Sequence, residues 1–374
     1  MGRVRKILTI FGTRPEAIKL FPILHALEGD ARFTSCICVT GQHRGLLDQV
    51  LEFAKIRPHH DCDVMTDDQS LDELTATLLT CVGHVLDEEK PDLVVVQGDT
   101  TTAMVSALAA HYRKIAIVHV EAGLRSGSLA HPWPEEANRS IITRLATIHC
   151  CPTRRAADAL RSENVPHQTI HLTGNTVIDA LYWTQDRLAG RGGSSDAFRE
   201  ALQRFAGRRH IGVTCHRRES FAEGIVRVVE AVGQLAHRPD VGILFPVHPN
   251  PNVRGIVRER LSPCENVALL EPLDYPDFCR LLDACDLMLS DSGGVQEEAP
   301  ALGTPVLVLR ETTERPEAIE AGGAILVGTD TQRIVAETNR LLDDRSAYAA
   351  MARAVSPFGD GRAAQRIVEL LATA

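Results

Sequence analysis

Short β-branched runs alternate with stretches of helical periodicity along almost the whole chain. In the first half, Lys6–Phe11, Ser35–Thr40, Asp92–Gln97, Ile115–Val120, Thr147–Cys151 and Thr169–Leu172 read as strands. A second set follows at His210–Thr214, Val241–Val247, Val267–Leu270, Asp286–Ser290, Pro305–Leu309 and Ala324–Val327. Between them, apolar residues recur at helical spacing, as at Leu47, Val50, Leu51 and Ala54, or at Leu71, Leu74, Leu78, Val82 and Val85. Strands apolar on both faces and separated by helices predict parallel sheets of βαβ units.

The expected fold is therefore α/β, with two Rossmann-like, doubly wound parallel-sheet domains. A length of 374 residues agrees, because single cores stop growing at about 250–300 residues. The boundary falls near Leu172–Thr176, ahead of the flexible-looking GRGGSS stretch, giving domains 1–173 and 174–357. A last helix within about 358–374 is a candidate to pack back on the first domain. One peptide recurs, Arg-Pro-Glu-Ala-Ile at 14–18 and at 315–319, each time with Pro where a starting helix needs no N–H.

In open parallel sheets, ligands sit beyond the carboxyl ends of the strands, so polar residues there are candidates for chemistry. After the first strand comes Gly12-Thr13-Arg14-Pro15-Glu16, where a helix N-terminus, Arg14 and Lys19 suit an anion. After Leu93–Val96 comes Gln97-Gly98-Asp99-Thr100; Asp99 is either a base, a hydroxyl ligand or a helix cap. Glu121 closes a buried strand, where a carboxylate is costly unless paired or functional. Glu135 follows Pro134 in the first turn of a helix, so compensation of the helix dipole competes with proton transfer as its role. His216 opens the second domain's first loop and titrates near neutrality; His248 has an equivalent strand-end position. The turn Ser290-Asp291-Ser292-Gly293-Gly294 offers backbone N–H groups for a diphosphate, and Glu298 one turn later suits ribose hydroxyls. Arg315 adds charge there, or makes a surface ion pair.

Composition narrows the partners. A net charge of −9 argues against a broad nucleic-acid or anionic-membrane surface. No apolar segment approaches the roughly 18 residues needed to span a bilayer, and the N-terminal apolar run is too short for a signal peptide. A cytoplasmic protein is the expectation. The ten cysteines are scattered without a C-x-x-C pair and are expected to be reduced core residues, with no metal site. Neither G-x-G-x-x-G nor a Walker motif follows a strand, so no nicotinamide or ATP cofactor is expected.

At these residues the chain closely resembles the non-hydrolysing UDP-N-acetylglucosamine 2-epimerases. The segments that carry the resemblance are FGTRPEAIKL, QHRGLLDQVL, QGDTTTA, HVEAGLRSG, PWPEEANR, TGNTVIDAL, HRRESF, DSGGVQEEAP and TTERPEAIEAG, in one order from Phe11 to Gly322. The resemblance implies a GT-B-like pair of domains facing a cleft, usually as a homodimer. It also implies reversible conversion of UDP-GlcNAc to UDP-ManNAc through 2-acetamidoglucal, without a cofactor. By the same resemblance Asp99, Glu121, Glu135 and His216 form the acid/base set. Arg14, Lys19, Ser292, Gly293, Gly294, Glu298 and Arg315 match the nucleotide and phosphate site, and Phe278 a position near the uracil. Gln42, His43 and His248 match an allosteric substrate site, although Gly45 and Asp68 stand where regulated members carry polar and basic residues. Two alternatives remain: the hydrolysing branch, which resembles Gly-Asp-Arg where this chain has Gly98-Asp99-Thr100, and a GT-B glycosyltransferase.

Overall fold

The computed structural model describes residues 3–41, 44–66, 68–189, 195–215 and 223–373. The chain forms two compact units, Met1–Tyr182 with Phe358–Ala374, and Trp183–Pro357. The first holds β1 (Arg5–Phe11), β2 (Phe33–Val39), β3 (His60–Asp61), β4 (Leu93–Gln97), β5 (Ala116–Val120), β6 (Ile148–Cys151) and β7 (Ile170–Leu172). They pair in parallel in the order β3-β2-β1-β4-β5-β6-β7. The second holds β8 (Arg209–Thr214), β9 (Val241–Pro246), β10 (Val267–Leu270), β11 (Leu287–Ser290), β12 (Val306–Val308) and β13 (Ala324–Leu326), parallel in the order β10-β9-β8-β11-β12-β13.

Strand order reverses between β1 and β4 in one sheet and between β8 and β11 in the other. At such a switch point the loops leaving neighbouring strands diverge and open a crevice. Burial explains why these strands are central: every residue of β4 is buried, and so is every residue of β11. Each fully buried Val, Ile or Leu there contributes about 1.5–3 kcal/mol of apolar transfer. The helix Thr101–Tyr112, which follows β4, is lined with Ala103, Ser106, Ala107, Ala109 and Ala110, all buried. Those small side chains let the neighbouring helices Leu71–Glu89 and Glu135–Leu145 pack closely on it.

The structure departs from the sequence expectation at three places. β3 is a two-residue edge strand with no apolar run to announce it. Cys62, just after β3, and Cys81 form a disulfide, against the expectation of reduced thiols. Folding brings the β3 edge onto the helix Leu71–Glu89, a proximity that spacing along the chain does not reveal. Finally, the units divide inside the helix Thr176–Leu188, between Tyr182 and Trp183, rather than after residue 173. Asp179 explains this, because its carboxylate accepts the N–H groups of Ala363 (3.1 Å) and Ala364 (2.8 Å) at the start of the last helix, Ala363–Thr373. That helix packs on Arg14–Glu28, and Arg5 donates to the Leu371 carbonyl at 2.9 Å.

Candidate active site

In the first unit, the loops after β1, β4 and β5 carry the candidate residues. The Arg14–Glu28 helix begins with a capping box in which Thr13 and Glu16 satisfy each other's backbone. The Glu16 carboxylate is buried and accepts from Gly12 N (3.0 Å), Thr13 N (2.8 Å) and Thr13 Oγ1 (2.8 Å). Its other oxygen accepts from Thr100 Oγ1 at 2.7 Å. Burial pushes the Glu16 carboxyl above its ordinary value while these donors pull it back. The Gly12 and Thr13 amides are thus engaged by Glu16, and Arg14 beside them is half-buried.

Glu121 sits just beyond β5 with φ of 63°, the left-handed region that non-glycine residues rarely occupy. It is 9% exposed, and charged and polar partners offset the cost of burying its carboxylate. Lys19 makes an ion pair with it, and Gln97 Nε2 donates to it at 3.0 Å. Lys19 and Glu121, expected at separate subsites, are thus brought together.

Asp99 follows Gly98, whose φ of 68° turns the chain sharply out of β4. Its carboxylate accepts from Arg139 Nη2 at 2.5 Å, and its carbonyl from Asn138 Nδ2 at 2.9 Å. Arg139 is nearly buried and also binds Glu136 at 3.0 Å, and Glu136 in turn accepts from the Ser126 amide. His119, buried in β5, meets the Gly98 carbonyl through Nε2 at 2.8 Å. Its burial lowers its pKa to about 3, so it is a neutral N–H donor that fixes the Gly98 turn. Glu135 begins its helix half-buried, and its Oε2 is buried without a hydrogen-bond partner among the described residues. A buried carboxylate oxygen without a partner is costly.

In the second unit, Ser292 caps the helix Gly293–Glu298 with extended backbone and no side-chain cap. The first-turn amides of Gly293 and Gly294 therefore have no intrahelical acceptor. Ser290 Oγ orients this turn, accepting from Ser292 N (3.0 Å) and meeting Thr214 Oγ1 (2.7 Å). Glu298 is buried, and its Oε1 accepts from Tyr275 OH at 2.9 Å. A Cβ at Gly294 would come within 3.3 Å of Glu298 Oε2, so the carboxylate folds back over the start of its own helix. Arg315 donates through Nε to Glu297 (2.5 Å) and through Nη1 to Glu314 (3.3 Å). Phe278 is half-buried on the helix Tyr275–Ala284. His248 is half-buried after β9, its Nδ1 accepting from the Asn250 amide. His216, Gln42 and His43 lie outside the described residues. Gln97, Arg139, Glu136, Glu16, His119 and Tyr275 are residues that the sequence reading did not give a role.

The UDP-N-acetylglucosamine 2-epimerase profile matches residues 25–372. A UDP-N-acetylglucosamine 2-epimerase of Salmonella typhimurium is 50% identical over 372 residues, covering 98% of each chain. The chain belongs to the UDP-N-acetylglucosamine 2-epimerase family. Solved members share its fold. The Neisseria meningitidis UDP-GlcNAc 2-epimerase bound to UDP-GlcNAc has a TM-score of 0.91 at 43% identity, covering 99% of this chain and all of that one. The Methanocaldococcus jannaschii UDP-GlcNAc 2-epimerase in complex with UDP-GlcNAc and UDP has a TM-score of 0.84 at 32% identity, with 99% and 100% covered. The resemblance to UDP-N-acetylglucosamine 2-epimerases read from the sequence is borne out, as are the two parallel-sheet α/β units. Among the described residues no helix is long and apolar enough to cross a membrane.

Proposed function

We propose that this chain epimerises UDP-N-acetylglucosamine at C2 to UDP-N-acetylmannosamine without net hydrolysis. In the first half-reaction a carboxylate takes the C2 proton and the C1–O bond breaks. The electron pair of that bond leaves on the β-phosphate oxygen of UDP, and the C2–H pair forms the C1=C2 bond of 2-acetamidoglucal. UDP then adds back at C1 while a proton reaches the opposite face of C2. Atoms and electrons balance without a redox cofactor.

The observation that carries the proposal is the Glu121 carboxylate, held in left-handed backbone by Lys19 and Gln97 at the same strand ends as Asp99. Proton removal and return on two faces needs more than one acid/base group, and Asp99, Glu121, Glu135 and His216 are assigned to that set. Arg139 holds Asp99 in place, and the Glu135 oxygen that has no hydrogen-bond partner among the described residues is assigned to a hydroxyl or a proton. The Ser292–Gly294 turn, Arg14 and Arg315 are assigned to the diphosphate, Glu298 to the ribose and Phe278 to the uracil. Support comes from relatives that carry the epimerase name over their full length and from those solved with UDP-GlcNAc or UDP.

A homodimer, a cytoplasmic location and supply of a cell-surface polysaccharide precursor complete the proposal. Incubation with UDP-GlcNAc in deuterated water tests it. Deuterium at C2 of both UDP-sugars, with no free sugar, is expected. Stoichiometric UDP with free N-acetylmannosamine would instead establish the hydrolysing reaction.

A further inference from the structure

At the β3 edge of the first unit's sheet, three side chains of ligand chemistry converge. Cys36 comes from β2, His60 from the edge strand β3 and Glu89 from the last turn of the helix Leu71–Glu89. Their sulfur, nitrogen and oxygen atoms all lie within 4.8 Å of one another. Cys36 is 3% exposed, whereas the His60 and Glu89 side chains are 19% and 17% exposed, so the cluster has a dry floor and an open mouth.

Glu89 is the hub of this group. His60 Nε2 lies 2.6 Å from its Oε1, Cys36 Sγ stands within 4.8 Å of the carboxylate, and the Lys6 ammonium pairs with its Oε2. A cation therefore already stands against the carboxylate. The Lys6 side chain is 35% exposed and has a four-carbon stem, so it can swing into solvent without breaking the core.

We propose that Cys36, His60 and Glu89 form a binding site for a divalent transition-metal ion of the zinc type, with Lys6 as the cation that the metal displaces. One thiolate, one imidazole and one carboxylate are a donor set suited to Zn²⁺, with the fourth position left to water. Tetrahedral bonds of about 2.0–2.3 Å put ligand atoms about 3.4–3.6 Å apart, so the cluster needs side-chain shifts of about 1 Å, with His60 and Glu89 moving apart. Binding releases the Cys36 proton to solvent, and Lys6 leaves still charged. The three ligands come from separate elements, which is why no spacing motif marks them. A bound ion would pin the two-residue strand β3 to the helix that covers it.

Cobalt is the probe, because a cobalt–thiolate bond gives a near-ultraviolet charge-transfer band that oxygen and nitrogen ligands do not. The full-length protein titrated with Co²⁺ is expected to show that band and to lose it in Cys36→Ser. Affinity should fall at least tenfold in Glu89→Gln and His60→Ala. It should rise in Lys6→Ala, since the competing ammonium is gone. Zinc should raise the Tm of the wild type and of Lys6→Ala, but not that of Glu89→Gln, a readout that survives if Cys36→Ser folds poorly. Absence of the band in the wild type, or a band that persists in Cys36→Ser and vanishes in Cys62→Ser, would overturn the proposal.

Discussion

Replacing Glu121 by Gln separates its chemical role from its structural one. Gln is nearly isosteric, so its carbonyl can still accept from Gln97, which now donates at 3.0 Å. Two things are lost: the proposed base, and the negative charge beside Lys19. The Lys19 side chain is 13% exposed and that of Glu121 6%, so the pair is close to buried. Removing one partner of a buried pair costs about 3–5 kcal/mol, and the retained amide carbonyl reduces that to about 2–3 kcal/mol. Urea unfolding should therefore show a lower midpoint at an unchanged slope. Turnover should fall at least about a hundredfold, or ~2.7 kcal/mol in barrier, the usual scale of acid–base loss. Lys19→Met with Glu121→Gln removes the stranded ammonium, so stability should partly return while activity does not. The assays are UDP binding by calorimetry, C2 deuterium exchange by NMR and chemical unfolding of all three variants. If the double variant regained turnover along with stability, Glu121 would be a structural partner of Lys19 and the proton-transfer assignment would fail. Full activity in the single variant would have the same consequence.

Three other perturbations follow from the structure. His119 is fully buried with its pKa lowered to about 3, against about 6.5 in the unfolded chain, so the unfolded state binds more protons between those values. Its contribution to stability is complete above about pH 6.5, erodes as the pH falls and is exhausted below about 3; about 2 kcal/mol should be gone by pH 5, and His119→Gln should flatten that slope in unfolding curves. The Cys62–Cys81 bridge closes a loop of 19 residues, so reduction, or Cys62→Ser, should cost about 3 kcal/mol by chemical unfolding, and a difference near zero would mean the thiols are not paired. Tyr275→Phe removes the hydroxyl that donates to buried Glu298, a bond to a charged acceptor worth about 1.5–3 kcal/mol. The variant should raise KM for the UDP-sugar more than it lowers kcat, and an unchanged KM would count against Glu298 at the ribose.

Much of the fold and part of the site could be read from residue order because both follow from one regularity. Parallel βαβ units send every strand's carboxyl end the same way, so Gly12–Arg14, Gly98–Asp99, Glu121 and Ser292–Gly294 could be placed at sheet ends without coordinates. What stayed hidden depends on pairing across elements. Arg139 lies inside the polar-looking helix EEANRSIITRL, and nothing in that string says it crosses to Asp99. His119 belongs to an apolar strand run, and only the chain turn at Gly98 gives its ring a partner. The Cys62–Cys81 pair and the Cys36, His60 and Glu89 group were obscured for the same reason: β3 has no hydrophobic pattern, so the sheet edge that gathers them could not be anticipated.

The repeated peptide shows how far local sequence determines a site and where tertiary context takes over. Both copies of Arg-Pro-Glu-Ala-Ile start a helix with Pro in its first two positions, as the fixed φ of proline favours. Beyond that shared start they diverge. In the first copy Glu16 turns inward, binds Gly12, Thr13 and Thr100, and joins the loops that follow β1 and β4. In the second, Glu317 is only half-buried, and the inward carboxylate bracing the loop is Glu297 from a different helix, bound to Arg315. Neither Glu16 nor Glu297 is assigned to react. Each is almost fully buried, and each sets a loop that carries a proposed phosphate-binding arginine. Burial makes such a carboxylate intolerant of a missing partner, so it holds its loop in one arrangement before substrate arrives. The five residues encode a helix start; the packing around each copy decides which acid becomes the brace.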